Sequence, residues 1–213
     1  RLSDGVFLYT LGLKVPLMSY NEKLKSITFQ KKLGSVFDKV ERLVLHAKFL
    51  QNTLNISTLE KASRSAFLSK ADLATEMVFE FPDLQGIIGK YYALAGHEDK
   101  EVAEAIEEQW MPKGEQGKLP STTTGTILSL SDKIDNIIGC YIADLKPTSS
   151  SDPYALRRQS LGIIKMLVDG KLNVPFMALF EKCFDHFPKE LTTKKDELLK
   201  EIELFMLSRV KTV

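Results

Sequence analysis

The sequence predicts an all-α fold, and two observations carry that prediction. Apolar residues recur at three- and four-residue steps along nearly every long segment, which is the period of an amphipathic helix. No stretch alternates cleanly between apolar and polar residues, as a half-buried strand would. The 213 residues are 44% hydrophobic and 27% charged, which is typical of a soluble globular chain with a sizeable core.

The first two long helices are predicted from capping residues followed by apolar stripes. Ser35 precedes a stripe and has Asp38 three residues later, a spacing typical of a helix start. Ser57 and Glu60 have capping-box spacing before a second stripe. We predict that this second helix is long and continues until Pro82 interrupts it, because proline lacks the backbone donor that a helix needs.

The remaining boundaries are predicted from turn residues. Gly96 is the expected C-terminal cap of a third, shorter helix, and Asp99 is the expected start of a fourth. Pro, Gly, Ser and Thr gather in residues 111–125, which we predict to be a long loop. A strongly helical segment follows, and then Asp152 is expected as an N-cap with Pro153 at the first helical position.

Charge and cysteine content limit the classes of function. Lys and Arg total 29 against 28 Asp and Glu, a formal net charge of +1, so any contact with RNA would be local. Cys140 and Cys183 lie far apart without CxxC spacing, which favours core roles in a reduced, cytoplasmic protein. No apolar run is long enough to span a bilayer, so no membrane partner is expected. The start at Arg1 and the helical pattern at the end indicate a piece of a longer polypeptide.

Local motifs give no indication of catalysis. The sequence contains no GxSxG, P-loop or GxGxxG motif. His46, His97 and His186 belong to no HExxH motif or Cys/His cluster, so each is expected to have a structural or surface role. We therefore predict no catalytic residue and no metal ligand.

One segment places polar residues inside an otherwise apolar helical pattern. Asp72 lies near the edge of the buried stripe, and Asp132 and Asp135 occupy a similar setting. A buried carboxylate needs a partner, and the cations available for pairing are Lys39, Lys70, Arg157 and Arg158. Two interpretations remain open, a structural network of ion pairs and a polar pocket that binds a ligand.

The two adjacent arginines are predicted to have different surroundings. Neighbouring helical residues point about 100° apart, so Arg157 and Arg158 cannot share one face. We expect one of them to pair with a core acid, Asp132 or Asp135, and the other to remain accessible to solvent.

Four blocks carry a resemblance to a known family. In order they are SKADLATEMVFEFPDLQGIIGKYYA, VAEAIEEQWMP, SDKIDNIIG and SSSDPYALRRQSLGII. Together they make the chain resemble the β subunit of bacterial glycyl-tRNA synthetase over essentially its whole length.

The resemblance implies an all-α domain similar to the HD phosphohydrolase fold, with a degenerate metal site. Active HD domains hold a metal with a His, a His-Asp pair and a further Asp. Here Asp72 matches the Asp of the pair, Ala71 replaces its His, Lys39 lies near the place of the first His, and Asp132 matches the last Asp. The residues of the implied pocket are Lys39, Lys70, Asp72, Asp132 and Arg157.

The resemblance also implies a role and partners. The whole enzyme would join glycine to tRNA(Gly) using ATP and Mg, with the chemistry in an α subunit or fused α region. This chain would bind no cofactor and would serve tRNA positioning and subunit scaffolding, with possible contacts at Lys113, Lys118 and Lys146. The alternatives are an HD-type metal-dependent phosphohydrolase and a pure protein-interaction module.

Three regions are predicted from the same resemblance. Residues 1–34 would be a lead-in segment of the β-subunit body, and residues 35–170 the HD-like helical domain. Residues 171–213 would form a helical extension toward an anticodon-binding domain beyond this chain.

Overall fold

The computed structural model describes residues 2–114 and 116–211, and α-helices occupy most of them. In chain order the helices are α1 (Leu2–Gly12), α2 (Asn21–Leu24), α3 (Val36–Leu54), α4 (Leu59–Leu68), α5 (Glu76–Glu80), α6 (Ile87–Ala95), α7 (Lys100–Glu108), α8 (Thr123–Ile142), α9 (Leu156–Asp169), α10 (Phe176–Phe184) and α11 (Lys195–Val210). Strands β1 (Thr28–Gln30) and β2 (Gly34–Ser35) form a small antiparallel hairpin. The all-α prediction is confirmed, and the likeness to HD domains stays a prediction.

Two predicted helix starts are confirmed by side-chain caps. The Ser35 Oγ accepts a hydrogen bond from the Asp38 amide at 3.1 Å, and Asp38 Oδ2 accepts one from the Ser35 amide at 2.6 Å. This capping box begins α3. Asp99 Oδ1 accepts from the amide of Glu101 at 2.8 Å, which fixes the start of α7.

The predicted single helix from Ser57 to Pro82 is wrong, because the chain breaks it into three pieces. After α4, residues Ala71–Ala74 form a 3-10 turn, and α5 begins only at Glu76. Thr75 adopts extended backbone angles, and its hydroxyl donates to the Asp72 carbonyl at 2.6 Å and accepts from the Val78 amide at 3.2 Å. Such local bonds compete with the helical ladder.

The start of α9 also differs from the prediction. The helix begins at Leu156, after Pro153. Asp152 still caps it, because its carboxylate accepts from the amides of Leu156 at 2.8 Å and Arg157 at 3.0 Å. Ala155 between them has a φ of 53°, so the chain turns once before the helix forms.

Helix α8 is the centre of the molecule. It contacts α3, α4, α7, α9, α10 and α11, and most of its 20 residues are buried. The largest fully buried side chains of this core are Leu43, Leu50, Ile127, Leu128, Leu130, Ile134, Ile137, Phe180 and Phe184. Because α10 and α11 share this core with α3, these two helices pack against the predicted HD-like region. The predicted domain boundaries stay predictions.

The length and composition of the helices can be compared with what a membrane span needs. Within residues 2–114 and 116–211, none combines the length and the apolar composition that crossing a bilayer requires.

Candidate functional site

Polar residues of α8 form a buried charged cluster against α3 and the 69–75 break. Asp132 and Lys133 are almost fully buried, and Asp135 is completely so. They are buried because α8 packs against α3, α4, α7, α9, α10 and α11. Buried charges persist only when they are paired, and each of these carboxylates has cationic partners.

Lys39 of α3 joins the two carboxylates. Its Nζ lies 2.9 Å from Asp135 Oδ2 and 3.3 Å from Asp132 Oδ1. It also donates to Asn136 Oδ1 at 2.8 Å, and the Phe29 ring centroid lies 4.8 Å away. All the faces of this ammonium group are therefore occupied by protein.

Lys70 binds Asp132 from the other side. Its Nζ lies 2.8 Å from Asp132 Oδ1 and donates to Gln109 Oε1 at 2.7 Å. Burial lowers the pKa of Lys70. Burial alone would raise the pKa of Asp132, but the ammonium groups of Lys39 and Lys70 outweigh it and hold that pKa below its usual range.

Asp135 has the most partners of the cluster. Arg42 binds it in a bidentate manner, with Nε 2.8 Å from Oδ1 and a terminal nitrogen 3.1 Å from Oδ2. His46 Nε2 lies 2.9 Å from Oδ1. Despite complete burial, the charges of Arg42 and Lys39 hold the pKa of Asp135 well below its usual range. Asp135 is therefore an ionised carboxylate surrounded by donors.

Asp72 has a different role from the one predicted. Its Oδ2 accepts from the amides of Gly86 at 2.6 Å and Gly89 at 3.0 Å, at the start of α6. A Cβ on Gly89 would lie 3.0 Å from that oxygen, so glycine permits the approach. Lys39 and Lys70, which were available to balance the charge of Asp72, pair with Asp132 instead. Asp72 accepts its hydrogen bonds from backbone amides at the helix start. Burial raises the pKa of Asp72 to about 6, although those amides and Lys70 oppose the rise.

The raised pKa of Asp72 predicts a pH dependence of stability. Its unfolded pKa is about 3.9, so between about pH 4 and 6 the unfolded chain has lost a proton that the folded protein keeps. The free energy of unfolding contributed by Asp72 therefore falls as pH rises through that window. Asp72→Asn removes this titration, and we expect the free energy of unfolding of the variant to gain about 2 kcal/mol relative to wild type between pH 4.5 and 7.

Urea unfolding of both proteins at the two pH values measures this difference. The other acidic groups are common to both proteins, so their contributions cancel in the comparison. Equal pH dependence in the two proteins would show that Asp72 is already ionised at pH 4.5.

Arg157 lies outside the cluster in which it was predicted. Its guanidinium donates to the Thr148 carbonyl, and the side chain is half-buried, whereas Arg158 is exposed. The two arginines therefore have different surroundings, as expected, but the predicted pairing with Asp132 or Asp135 is wrong. The lysines and Arg42 already occupy those carboxylates.

An open cleft of about 450 Å³ lies beside the cluster. Its wall includes Gln85, Trp110, Lys113, Lys133, Tyr154 and Arg158. Lys133 is fixed at its base, because Nζ donates to the Met111 carbonyl at 2.8 Å and to Ser129 Oγ at 2.8 Å. Burial lowers the pKa of Lys133 to about 8. The side chains of Lys113 and Arg158 are exposed, so they can meet a ligand.

The three lysines predicted to contact RNA are in different settings. Lys113 lines the cleft, and Lys118 is exposed in the same loop. Lys146 lies 2.5 Å from Glu201 of α11 and does not line this cleft. Of these three lysines, only Lys113 therefore lines the cleft beside the charged cluster.

Comparison with known proteins decides the family. The family model described as glycyl-tRNA synthetase beta subunit matches residues 1–213. This chain belongs to the glycyl-tRNA synthetase β-subunit family. The glycine–tRNA ligase beta subunits of Syntrophomonas wolfei and Clostridioides difficile are 41% and 44% identical to it over 214 residues, 100% of this chain. That of Desulforapulum autotrophicum is 44% identical over 212 residues, 99% of this chain. The chain spans about 31% of the length of these curated relatives.

The donor set of this β-subunit chain does not fit the metal of an HD site. Asp132 Oδ1 lies against two ammonium groups, and Oδ2 is within 3.4 Å of the Asn136 amide nitrogen. Asp72 Oδ2 already accepts hydrogen bonds from two backbone amides. Metal sites need available carboxylate or imidazole donors, and nearby ammonium groups repel a cation. That this pocket binds no metal stays a prediction.

Several members of the site are not among the residues predicted from the sequence. Arg42 and His46 contact Asp135, and Trp110 and Tyr154 line the cleft. Arg42 and His46 follow Lys39 at helical spacing on the buried side of α3, so their position could have been suspected. The sequence held no comparable signal for the two aromatic residues, because loops bring them to the cleft.

Proposed function

We propose that this chain binds and positions tRNA(Gly) within a cytoplasmic glycyl-tRNA synthetase and serves as a scaffold for its α subunit or fused α region. That partner would supply ATP- and Mg-dependent chemistry. The share of this chain in the reaction would be the orientation of a large substrate, which lowers the barrier through geometry.

The cleft beside the charged cluster supports this proposal most directly. The exposed cations Lys113 and Arg158 lie at the same opening as the aromatic side chains of Trp110 and Tyr154. Proteins recognise unpaired nucleotides by stacking bases on aromatic rings while cations bind the phosphates. The volume of about 450 Å³ is within the range of sites for small groups. It suits one unstacked nucleotide better than a double helix.

The charged cluster itself offers little for catalysis. General acid-base chemistry needs a group that can reach a substrate and change its protonation state near the working pH. Asp132 and Asp135 have lowered pKa values and fixed partners, and their side chains are buried. This disfavours the phosphohydrolase alternative and favours a structural role for the cluster, which holds α3, α8 and the 69–75 break together.

Charge reversal at the cleft tests the proposed role. We expect the chain alone to bind tRNA(Gly) no tighter than roughly 10 μM at physiological salt, and to form no glycyl-tRNA. The double variant Lys113→Glu/Arg158→Glu should bind about tenfold more weakly or worse. Its affinity should also depend less steeply on salt, because two phosphate contacts are lost.

Fluorescence anisotropy with labelled tRNA(Gly) at several salt concentrations measures both effects. Lys200→Glu is the matched control, because Lys200 is exposed on α11 and does not line the cleft. Equal weakening in the control would indicate a general charge effect. Unchanged binding in the double variant would place the RNA elsewhere.

A further inference from the structure

A second group of polar side chains lies on the far side of Asp135 from Asp132. His46 Nδ1 and His186 Nδ1 are 2.7 Å apart. With the Cys183 thiol, they bring three ligand atoms within 4.8 Å of one another. His46 and Cys183 are fully buried, and His186 is half-buried. Two imidazoles and a thiol in one place are the donors that zinc prefers.

The fold brings these residues together from two distant segments. Cys183 lies in the last turn of α10, and the His186 amide donates to the Cys183 carbonyl at 3.1 Å. The two side chains thus come from one turn of the chain in a Cys-x-x-His arrangement, so the expectation that His46 and His186 belong to no Cys/His cluster is wrong. His46 approaches from α3, on the face that also carries Arg42. A cation bound here would connect α10 to α3.

Asp135 orients the His46 ring as an outer carboxylate does in metal sites. Both oxygens of Asp135 accept hydrogen bonds from Arg42, and Lys39 lies against Oδ2, so the carboxylate acts as an acceptor and His46 Nε2 carries the proton that it donates across 2.9 Å. The lone pair of His46 Nδ1 is then directed toward His186 and Cys183. Carboxylate–histidine–zinc arrangements fix the ring in this tautomer and raise its basicity.

The surrounding charge and access are compatible with a divalent cation. Arg42 is the nearest cation on α3 and donates both of its hydrogen bonds to Asp135, and Lys39 lies between the carboxylates of Asp135 and Asp132. A thiolate at Cys183 would add a negative charge. His186 also lines an open groove, which gives an ion a route from solvent, and the wall of this groove carries three carboxylates, Asp38, Glu41 and Glu190, beside three cations, Lys32, Arg42 and Lys189.

We propose that His46, Cys183 and His186 bind one zinc ion, with the fourth position open to a water molecule from the groove. On binding, the Cys183 thiol releases its proton to solvent, and His186 moves its proton from Nδ1 to Nε2. The site shares no ligand with the Lys39–Asp132 cluster and does not depend on the proposed tRNA role. Its effect is to stabilise the docking of α10 on α3.

Cobalt and zinc titrations of the full chain test this site. One Co²⁺ per chain should give the visible bands of a tetrahedral ion and a near-ultraviolet thiolate band, and Zn²⁺ should displace it and raise Tm. Cys183→Ser should abolish the thiolate band. His186→Gln, at a half-exposed position, should keep the helical circular dichroism and weaken metal binding by roughly 100-fold or more, since even outer-shell partners contribute 10–100-fold.

Cys140→Ser is the matched control, because Cys140 is the other buried cysteine and is not part of the group. It should retain the full cobalt spectrum. The site is refuted if wild type shows no saturable binding near one ion per chain. It is also refuted if the thiolate band survives Cys183→Ser, or if His186→Gln binds zinc as tightly as wild type.

Discussion

Asp135→Ala is expected to lower the free energy of unfolding by about 3 to 5 kcal/mol, the usual cost of removing one partner from a buried ion pair. The substitution leaves the Arg42 guanidinium buried without its carboxylate, and it leaves the Lys39 ammonium with Asp132 as its remaining carboxylate partner. His46 loses the acceptor of its Nε2 proton as well. Each of these groups then has an unpaired donor in a site from which water is excluded.

Glu41→Ala is the matched control for that substitution. Glu41 is an exposed acid on α3, and its removal should change stability by no more than about 0.5 kcal/mol. Urea unfolding monitored by circular dichroism measures both proteins. A loss of less than about 1 kcal/mol in Asp135→Ala would mean that the network contributes little to the fold.

Asp72→Ala should cost about 2 to 4 kcal/mol, for a different reason. Asp72 accepts the buried amides of Gly86 and Gly89, and each unsatisfied buried donor costs about 1 to 3 kcal/mol. Asp72→Asn keeps an acceptor oxygen in the same place and should retain most of the stability at pH 7. Asp83→Ala, at an exposed acid of the neighbouring turn, should be near neutral.

The same urea experiment separates the two explanations for Asp72. Similar losses for Asp72→Ala and Asp72→Asn would mean that its charge matters more than its oxygen. That outcome would favour the ion pair expected from the sequence over the helix-start contact seen in the structure.

Features that depend on one turn of chain could be predicted from the sequence. Ser35 and Asp38 cap each other across three residues, and Asp99 caps α7 in the same local way. The break after Leu68 could not be predicted, because apolar residues continue at helical spacing across it. The decisive bonds of Thr75 with its neighbours are visible only in the folded chain.

The partners in the charged cluster were harder to predict than its members. Lys39 and Asp132, two members of the pocket that the resemblance implies, are in contact, whereas the match of that pocket to an HD site stays a prediction. The sequence predicts Arg157 as a partner because it is an available cation near the core, but Arg42 of α3 binds Asp135 instead. Helical spacing shows which side chains share a face, and it does not show which neighbouring helix covers that face.

The kinetics of tRNA charging test the central claim most directly. A complete glycyl-tRNA synthetase with Lys113→Glu/Arg158→Glu in this region should show a KM for tRNA(Gly) raised about tenfold, equivalent to about 1.4 kcal/mol. Its KM values for glycine and ATP should stay unchanged, because their chemistry is proposed to lie in the α partner. An unchanged KM for tRNA(Gly) would contradict the proposal that this cleft positions the substrate.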